Sequence, residues 1–190
     1  MKISLKRINF FSKDYKKISR LYRTAFPADE RAPMWYMAVK AEKENADFWG
    51  IYADGEWAGL AYVISEGTAS YLFYIALSED LRGKGLGSKA LQSVKKHYKG
   101  QRLFLALEQL DESAENSEER IRRRNFYLKN GLKPLPLTIR EATVTYDVMG
   151  TGDVQPEEYE SMMKKYLGAA SRLVEMKIKS EDRGSANSIL

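Results

Sequence analysis

The sequence predicts a mixed α/β (α+β layered) protein with a mostly antiparallel central sheet and helices on both faces. Two observations support this fold class. Apolar residues switch from helical to strand spacing and back again along the chain. Tight-turn sequences separate the strands of the first half, whereas a glycine-rich turn and a helix separate two later strands. With 190 residues, 44% of them hydrophobic and 30% charged, the chain is long enough to bury a core.

The first half begins with a short strand and two helices. Residues Ile3–Ile8 predict the strand, Ser12 is a predicted helix N-cap, and Pro27 ends the helix that follows. Residues Pro27–Pro33 form a predicted loop. Pro33 then suits the first position of a second helix, because no intrahelical N–H bond is needed there.

Three antiparallel strands are predicted next. Phe48–Ala53 and Trp57–Ile64 flank Asp54-Gly55, a residue pair typical of two-residue hairpins. A turn at Glu66–Thr68 leads to the third strand, Tyr71–Leu77. These segments together predict an antiparallel meander that follows the helix pair.

The spacing becomes helical again after residue 85. Apolar residues recur every three or four positions in Leu86–Tyr98, and Gly100 ends this helix. The continuously apolar run Leu103–Leu107 predicts a strand buried on both faces. Strand, glycine-rich turn, helix and strand thus predict a βαβ crossover in the middle of the chain.

The last third predicts two more helices with strand sequence between them. Asn116 is a predicted N-cap with Glu119 as its reciprocal partner, and Asn130-Gly131 is predicted to end that helix. Thr138–Met149 is rich in strand-forming residues, and Pro156–Leu167 predicts the final helix. We therefore expect a main domain of residues 1–152, a C-terminal helical extension of residues 153–180 and a disordered tail of residues 181–190.

Composition excludes several classes of protein. The absence of cysteine removes disulfides, thiolate metal sites and a cysteine nucleophile, and no metal site is expected. No apolar run approaches the ~20 residues that span a bilayer, so we expect a cytoplasmic protein without membrane contact. The net charge of +5 comes from 31 basic residues interspersed with 26 acidic ones, which favours an ordinary charged surface over nucleic-acid binding.

The segment Arg82–Gly87 predicts a phosphate-binding turn. Three glycines in five residues let the backbone approach a ligand closely, and successive N–H groups at a helix start bind anions. Arg82 and Lys84 add positive charge. The order Gly87-Ser88-Lys89 lacks the Lys-Ser/Thr pair of an ATP-binding Walker loop, and antiparallel strands before the turn do not suit a dinucleotide fold.

The pattern Arg82-x-x-Gly85-x-Gly87 resembles the coenzyme A pyrophosphate loop of the GNAT superfamily of N-acetyltransferases. The order of elements from about residue 3 to 149 is similar to that family, as is the downstream sequence Phe126–Leu132 (FYLKNGL). The resemblance implies a GNAT-like acyl-CoA N-acyltransferase fold. It also implies transfer of acetyl from acetyl-CoA to a primary amine of a small molecule or a peptide, by direct attack in a ternary complex.

In that family the cofactor arm lies between two splayed strands, which correspond here to Tyr71–Leu77 and Leu103–Glu108. The resemblance implies that backbone groups of Ile75 and Leu77 pair with the pantetheine amides. It further implies that the pyrophosphate is held by Arg82, Gly83, Lys84, Gly85, Gly87 and Ser88.

The catalytic residues are also implied by the resemblance. Tyr127 corresponds to the family tyrosine that donates a proton to the leaving sulfur. Many relatives place a glutamate in the strand before the loop, but the matching stretch Tyr71–Tyr74 has none. We select Glu108 as the substitute from its position at the end of the apolar run Leu103–Leu107, because a carboxylate at a buried strand end is expected to face the cleft where the strands splay. We expect it to act as a base directly or through water, or to orient the positive charge of the substrate; the alternative is a simple strand-end carboxylate.

Several residues keep alternative interpretations. Glu30 and Arg31 lie where the family contacts the acceptor, and we assign them to substrate binding, with a solvated loop as the equally favoured alternative. Three interpretations are open for the run Arg120–Arg124. It could bind nucleic acid, or it could bind the cofactor 3′-phosphate or an acidic acceptor. The favoured interpretation is a solvated helix face paired with Glu115, Glu118 and Glu119. His97, the only histidine, is assigned no role. Three roles are open for residues 154–190: they could cap the core, cover the acceptor cleft or form a homodimer. The alternative to an enzyme is an acetyl-CoA-binding sensor or partner module that has lost turnover.

Overall fold

The computed structural model describes residues 1–28, 30–43, 45–81, 83–141, 144–172 and 176–180. The chain divides into two compact units, Met1–Gln101 and Arg102–Leu190. The predicted domain bounds at residues 152 and 180 stay a prediction, and the predicted tail, residues 181–190, lies outside the described residues.

The first unit contains the predicted meander. Its elements are β1 (Ile3–Arg7), α1 (Tyr15–Ala25), α2 (Met34–Ala41), β2 (Ala46–Ala53), β3 (Glu56–Glu66), β4 (Ala69–Leu77), a short 3-10 turn (Glu79–Leu81) and α3 (Leu86–His97). β1 pairs with β2, β2 with β3 and β3 with β4, each in antiparallel orientation. The hairpins predicted at Asp54-Gly55 and Glu66–Thr68 are therefore confirmed.

Burial and hydrogen bonding together attach the helices of the first unit to its strands. Tyr62 of β3 is fully buried, and its hydroxyl donates to the backbone oxygen of Met37 in α2 (3.1 Å). Phe48 of β2 packs against the Tyr62 ring at a centroid distance of 5.5 Å. Burying one such aromatic side chain contributes about 1.5–3 kcal/mol, so this contact helps to fix α2 on the sheet.

Helix α1 begins later than its sequence predicts. The N-cap position is occupied by Asp14, whose side chain makes no capping bond, because its carboxylate accepts a hydrogen bond from the Tyr52 hydroxyl of β2 (2.8 Å). Ser12 instead accepts from the N–H of Asn9 (3.0 Å) and closes the preceding turn. The N-cap prediction at Ser12 is wrong, since a local turn and a tertiary partner use the two side chains.

Strand β4 contains a bulge just before its C-terminal end. Consecutive β3 residues Tyr62 and Val63 pair with Tyr74 and Leu72, so Phe73 has no partner opposite it. A bulge bends a strand and increases its local twist. The last four residues of β4 therefore run in a different direction from its first four.

The second unit contains β5 (Arg102–Glu108), α4 (Ser117–Lys129), β6 (Lys133–Glu141), β7 (Val144–Gly150), α5 (Pro156–Leu167), a 3-10 segment (Gly168–Arg172) and β8 (Met176–Ser180). β7 pairs with β5 and β6, and β6 pairs with β8, all antiparallel. The β-rich stretch predicted at Thr138–Met149 is thus parts of two strands, and β8 had no sequence prediction.

Helix α5 packs its apolar side within the second unit. It buries Tyr159, Met162, Met163 and Tyr166. A bidentate ion pair from Arg102 at the start of β5 to Glu158 supports this packing, with distances of 2.5 and 2.9 Å. The guanidinium holds the pKa of Glu158 below its usual range. Of the roles expected for residues 154–190, core packing is therefore the one observed for α5.

None of the helices in the described part of the chain combines the length and apolar composition needed to cross a bilayer.

Candidate active site

The candidate cofactor site begins at the C-terminal end of β4. The N–H of Ser78 donates to the backbone oxygen of Ala58 (2.9 Å), and bonded positions alternate along an antiparallel ladder. Ala76 therefore bonds toward β3, whereas the N–H and C=O groups of Ile75 and Leu77 point to the edge away from β3. These are the groups that an added strand would use. Their direction fits the pantetheine contacts that the resemblance implies.

Gly59 allows the close approach of β3 to this part of β4. A Cβ atom at position 59 would overlap the backbone oxygen of Ala76 and would lie 3.0 Å from the Cα of Leu77. Both obstacles are backbone atoms, which cannot move aside without changing the strand pairing. Gly59 is thus a positioning residue for the end of β4 that sequence reasoning missed.

The predicted phosphate turn follows β4 directly. After the 3-10 turn Glu79–Leu81, Gly83 has a φ of +77° and Gly85 a φ of +70°. An added Cβ would meet no atom within 4 Å at either position. Left-handed backbone conformation, rather than crowding, therefore requires glycine here, and the space above the turn is open to a ligand. Arg82, the first residue of the pattern, lies outside the described residues.

The start of α3 presents unbonded backbone donors. Gly85 occupies the N-cap position and supplies no side-chain cap, and the N–H of Lys89 donates to its backbone oxygen (3.4 Å). The N–H groups of Gly87 and Ser88 precede that bond, so they have no partner within the helix. The helix dipole favours an anion at this end. With the exposed Lys84 beside it, the turn fits a pyrophosphate.

Tyr127 lies in the last turn of α4 and is 9% exposed. Burial raises the pKa of its phenol to about 12, so the group carries its proton at neutral pH. Among the described residues, none hydrogen-bonds to this hydroxyl. The backbone oxygen of Tyr127 accepts from the N–H of the buried Leu132 (3.1 Å), and Gly131 has a φ of +80°. The predicted helix end at Asn130-Gly131 is confirmed.

The carboxylate of Glu108, at the end of β5, has polar partners on both oxygens. Arg120 lies 2.9 Å from Oε1 and Arg123 donates to Oε2 at 2.6 Å, while the Asn116 amide lies 3.4 Å from each oxygen. To accept a proton from an amine, either oxygen would have to give up one of these contacts. The pairing of Glu108 is thus a constraint on any catalytic role.

The arginine run of α4 binds carboxylates of neighbouring strands. Arg124 donates to Asp147 of β7 (2.6 Å), whose other oxygen accepts from Gln109 (2.9 Å). Within the helix, the only described ion pair joins Arg123 to Glu119, at 3.9 Å. The favoured interpretation of Arg120–Arg124 as a solvated face paired with helical glutamates is therefore wrong for Arg120 and Arg124, and it holds only in part for Arg123, which contacts both Glu119 and Glu108.

Asn116 occupies the N-cap position of α4 but does not cap it. Its side-chain oxygen accepts a hydrogen bond from Nε of Arg120 (2.8 Å). The predicted reciprocal pair with Glu119 is wrong, because Asn116 takes part in the cluster around Glu108.

The loop that contains Glu30 and Arg31 is attached to β4 through Tyr74. The Tyr74 hydroxyl donates to the backbone oxygen of Glu30 (2.7 Å) and accepts from the N–H of Ala32 (3.1 Å). The Arg31 guanidinium donates to the backbone oxygen of Arg23, at the end of α1 (3.0 Å). The proposed acceptor residues are thus beside the strand that carries Ile75. The signal that sequence reasoning missed is the tyrosine inside the stretch that lacks a glutamate.

His97 lies at the end of α3 with its ring edge against the buried Trp49, at a centroid distance of 4.6 Å. This contact gives it a packing function. In the part of the chain that the structure describes, no group of three or more His, Asp or Glu side chains is arranged to hold a metal ion.

The sequence profile of the Acetyltransferase (GNAT) family matches residues 15–131. The match confirms the family resemblance, and acetyl-CoA, the predicted cofactor, is the cosubstrate of that family. No curated protein sequence matches the chain closely enough to count as a relative.

Solved structures share the fold at low sequence identity. A protein from Bacteroides thetaiotaomicron assigned to the GNAT acetyltransferase family is 18% identical, with a TM-score of 0.68 over 88% of this chain and 97% of its own. An aminoglycoside 6′-N-acetyltransferase in complex with coenzyme A is 14% identical, with a TM-score of 0.58 over 77% and 95%. The ribosomal-protein-S18-alanine N-acetyltransferase from Escherichia coli is 17% identical, with a TM-score of 0.54 over 78% and 92%. The predicted fold class is therefore confirmed.

Proposed function

This chain belongs to the acetyltransferase (GNAT) family, and we propose that it transfers acetyl from acetyl-CoA to a primary amine of a small molecule or a peptide, by direct attack within a ternary complex. One observation carries the proposal. The strand edge of Ile75 and Leu77 leads directly into a turn with two left-handed glycines and an uncapped helix start. Strand-like pairing and anion binding are the two functions that the arm and pyrophosphate of coenzyme A need.

The proposed cofactor contacts are mostly backbone groups. Ile75 and Leu77 would pair with the pantetheine amides, and the N–H groups of Gly83, Lys84, Gly85, Gly87 and Ser88 would hold the pyrophosphate. The side chain of Arg82 would add charge. Because glycines 83 and 85 have no neighbouring atoms where a Cβ would be, a phosphate can approach the backbone without displacing a side chain.

Tyr127 is the proposed acid. Acetyl-CoA supplies a thioester, and attack by a neutral amine releases a sulfur that must gain a proton. A phenol whose pKa is raised to about 12 still carries its proton at neutral pH, and its hydroxyl has no other partner among the described residues. We therefore assign proton donation to Tyr127 rather than to a carboxyl group.

Glu108 is retained as a hypothesis for amine activation or orientation. Its two guanidinium partners support orientation more than proton removal, since both oxygens already accept hydrogen bonds. This same observation favours the second candidate function, an acetyl-CoA-binding module with weak turnover. Glu30 and Arg31 are the proposed acceptor contacts, on the loop that Tyr74 attaches to β4.

The test measures binding and turnover separately. We expect acetyl-CoA and coenzyme A to raise the melting temperature, with no shift from ATP or NAD, and we expect thiol release with at least one class of primary amine. Absence of a shift with both coenzyme A forms would contradict the proposal. A shift without thiol release across small amines and peptides, unaffected by Tyr127→Phe, would instead identify the binding module.

A further inference from the structure

The exposed side of α1 carries a row of positive charge. Lys13 precedes the helix, Lys16, Arg20 and Arg23 follow it at intervals of three or four residues, and Lys17 lies next to Lys16; all five are exposed. We call these five residues the α1 basic stripe. Only Lys17 has an ion-pair partner in the described part of the chain, the buried Asp14 at 3.1 Å.

The N-terminal part of this arrangement opposes the stability of the helix that carries it, whereas Arg23, in the last turn, suits the helix dipole. Like charges three or four residues apart on a helix repel each other. Cations in the first turn also oppose the helix dipole, and α1 has no acidic residue in that turn. Charges that weaken their own helix point to a role outside it.

The stripe leads into the proposed acceptor loop. Its last residue, Arg23, accepts the hydrogen bond from the Arg31 guanidinium at its backbone oxygen, so a sixth cation lies at that end. Tyr74 holds the same loop against β4, next to Ile75. The row of charge therefore ends where the proposed function requires the acceptor amine.

We infer that the acceptor is a polypeptide with acidic residues near the amine that is acetylated, and that the α1 basic stripe binds those residues. The inference rests on the proposed function. From Lys13 to Arg23 the stripe is ~15 Å long at 1.5 Å per residue, which matches about five residues of extended peptide. A nucleic acid offers negative charge but no aliphatic amine. A polycation such as an aminoglycoside would be repelled.

The experiment compares three peptides with one primary amine each, flanked by acidic, neutral or basic residues. We expect the acidic peptide to have the lowest KM. In the double variant Lys13→Gln/Lys16→Gln, at the end away from the loop, its KM should rise about three- to tenfold, as for the loss of two exposed ion pairs. The neutral peptide should be unaffected. The matched control is Lys164→Gln/Lys165→Gln on exposed positions of α5, which should change neither KM.

Peptide binding is measured independently by fluorescence anisotropy with coenzyme A present. Equal KM values for all three peptides would overturn the inference and leave the proposed function intact. Binding of the acidic peptide through the stripe without thiol release would overturn the proposed function and the acceptor role, and would leave the stripe as a binding surface for acidic peptides. If the acidic peptide shows neither binding through the stripe nor thiol release, the inference and the proposed function are both overturned. Salt-dependent binding of single-stranded RNA that the stripe variant abolishes, with no preference for the acidic peptide, would replace the inference with nucleic-acid binding.

Discussion

The proposed phosphate turn after β4 and the charged cluster of α4, in which arginines bind Glu108 and Asp147, differ in whether their polar groups have partners. In the turn, an added Cβ at either left-handed glycine would meet no atom within 4 Å, and the helix start that follows has no side-chain cap. In the cluster, the carboxylates of Glu108 and Asp147 are each bound by arginine. Polar groups without internal partners are available to a ligand, whereas paired ones stabilise the protein that holds them. The contrast predicts that substitutions in the turn mainly impair function, whereas substitutions in the cluster mainly lower the stability of the fold.

Tyr127→Phe is the largest expected effect. The hydroxyl is the one group on α4 that we place in the chemistry, so its removal should lower kcat by about 10²- to 10⁴-fold, the usual contribution of general acid catalysis. Affinity for acetyl-CoA, measured by titration calorimetry, should not change. Because the pKa of Tyr127 is raised to about 12, the wild-type enzyme should show no alkaline loss of kcat from this group below about pH 10. Unchanged kcat in the variant would remove Tyr127 from the mechanism.

Gly85→Val tests the turn against a matched position. Valine at a positive φ is strained by about 1–2 kcal/mol, and the altered backbone should misdirect the donors at the start of α3. We expect acetyl-CoA affinity to fall by at least about tenfold, or 1.4 kcal/mol. Gly67→Val is the control, because Gly67 also has a positive φ and open surroundings but lies in the β3–β4 turn. Equal affinity losses in the two variants would mean that strain, not phosphate binding, explains the effect.

Glu108→Gln tests whether the charged cluster is structural. The amide can keep the shape of the side chain, but it leaves Arg120 and Arg123 without their negative partner. We expect a lower melting temperature, by about 2–4 °C for each kcal/mol lost in a chain of this size. We expect kcat to fall by less than about tenfold, well below the usual effect of removing a general base. A loss of 10²-fold or more, together with loss of the acidic limb of the pH–rate profile, would restore Glu108 as the base.

Tyr74→Phe is the smallest expected effect and tests the loop contact on β4. The variant keeps the ring and removes two hydrogen bonds to the loop backbone, each worth about 0.5–1.5 kcal/mol. The KM for the amine should rise about three- to tenfold, while the affinity for acetyl-CoA remains. Tyr52→Phe removes a comparable hydroxyl bond to Asp14 and serves as the control. If both variants change stability alone, Tyr74 has no role in acceptor binding.

The parts of the candidate site that depend on one short segment of sequence were predictable. The glycine-rich turn and the helix that starts at Leu86 follow from local sequence. So does the helix end at Asn130-Gly131. The structure added the positive φ of Gly83 and Gly85. The outward direction of Ile75 and Leu77 came only from the resemblance, because strand parity depends on pairing with β3.

The two N-cap predictions, at Ser12 and Asn116, failed for one physical reason. Ser12 and Asn116 have the right chemistry to cap a helix, but a side chain makes the bonds that its surroundings offer. Asn116 binds Arg120 and lies close to Glu108, and Asp14 rather than Ser12 lies at the start of α1, bound to Tyr52. The tendency of a side chain to cap a helix is a property of the isolated segment, and hydrogen-bond partners brought close by folding override that tendency.

The sequence by itself determined the family, the order of elements as far as α4 and the position of the glycine-rich turn, because each is written in contiguous residues whose backbone preferences act locally. Only the tertiary structure decided which charged groups are available. The arginine run of α4 binds carboxylates on β5 and β7. Four of the five cations in the α1 basic stripe, in contrast, have no ion-pair partner among the described residues. Charge in a sequence gives no indication of its partner, because that partner is brought close by folding.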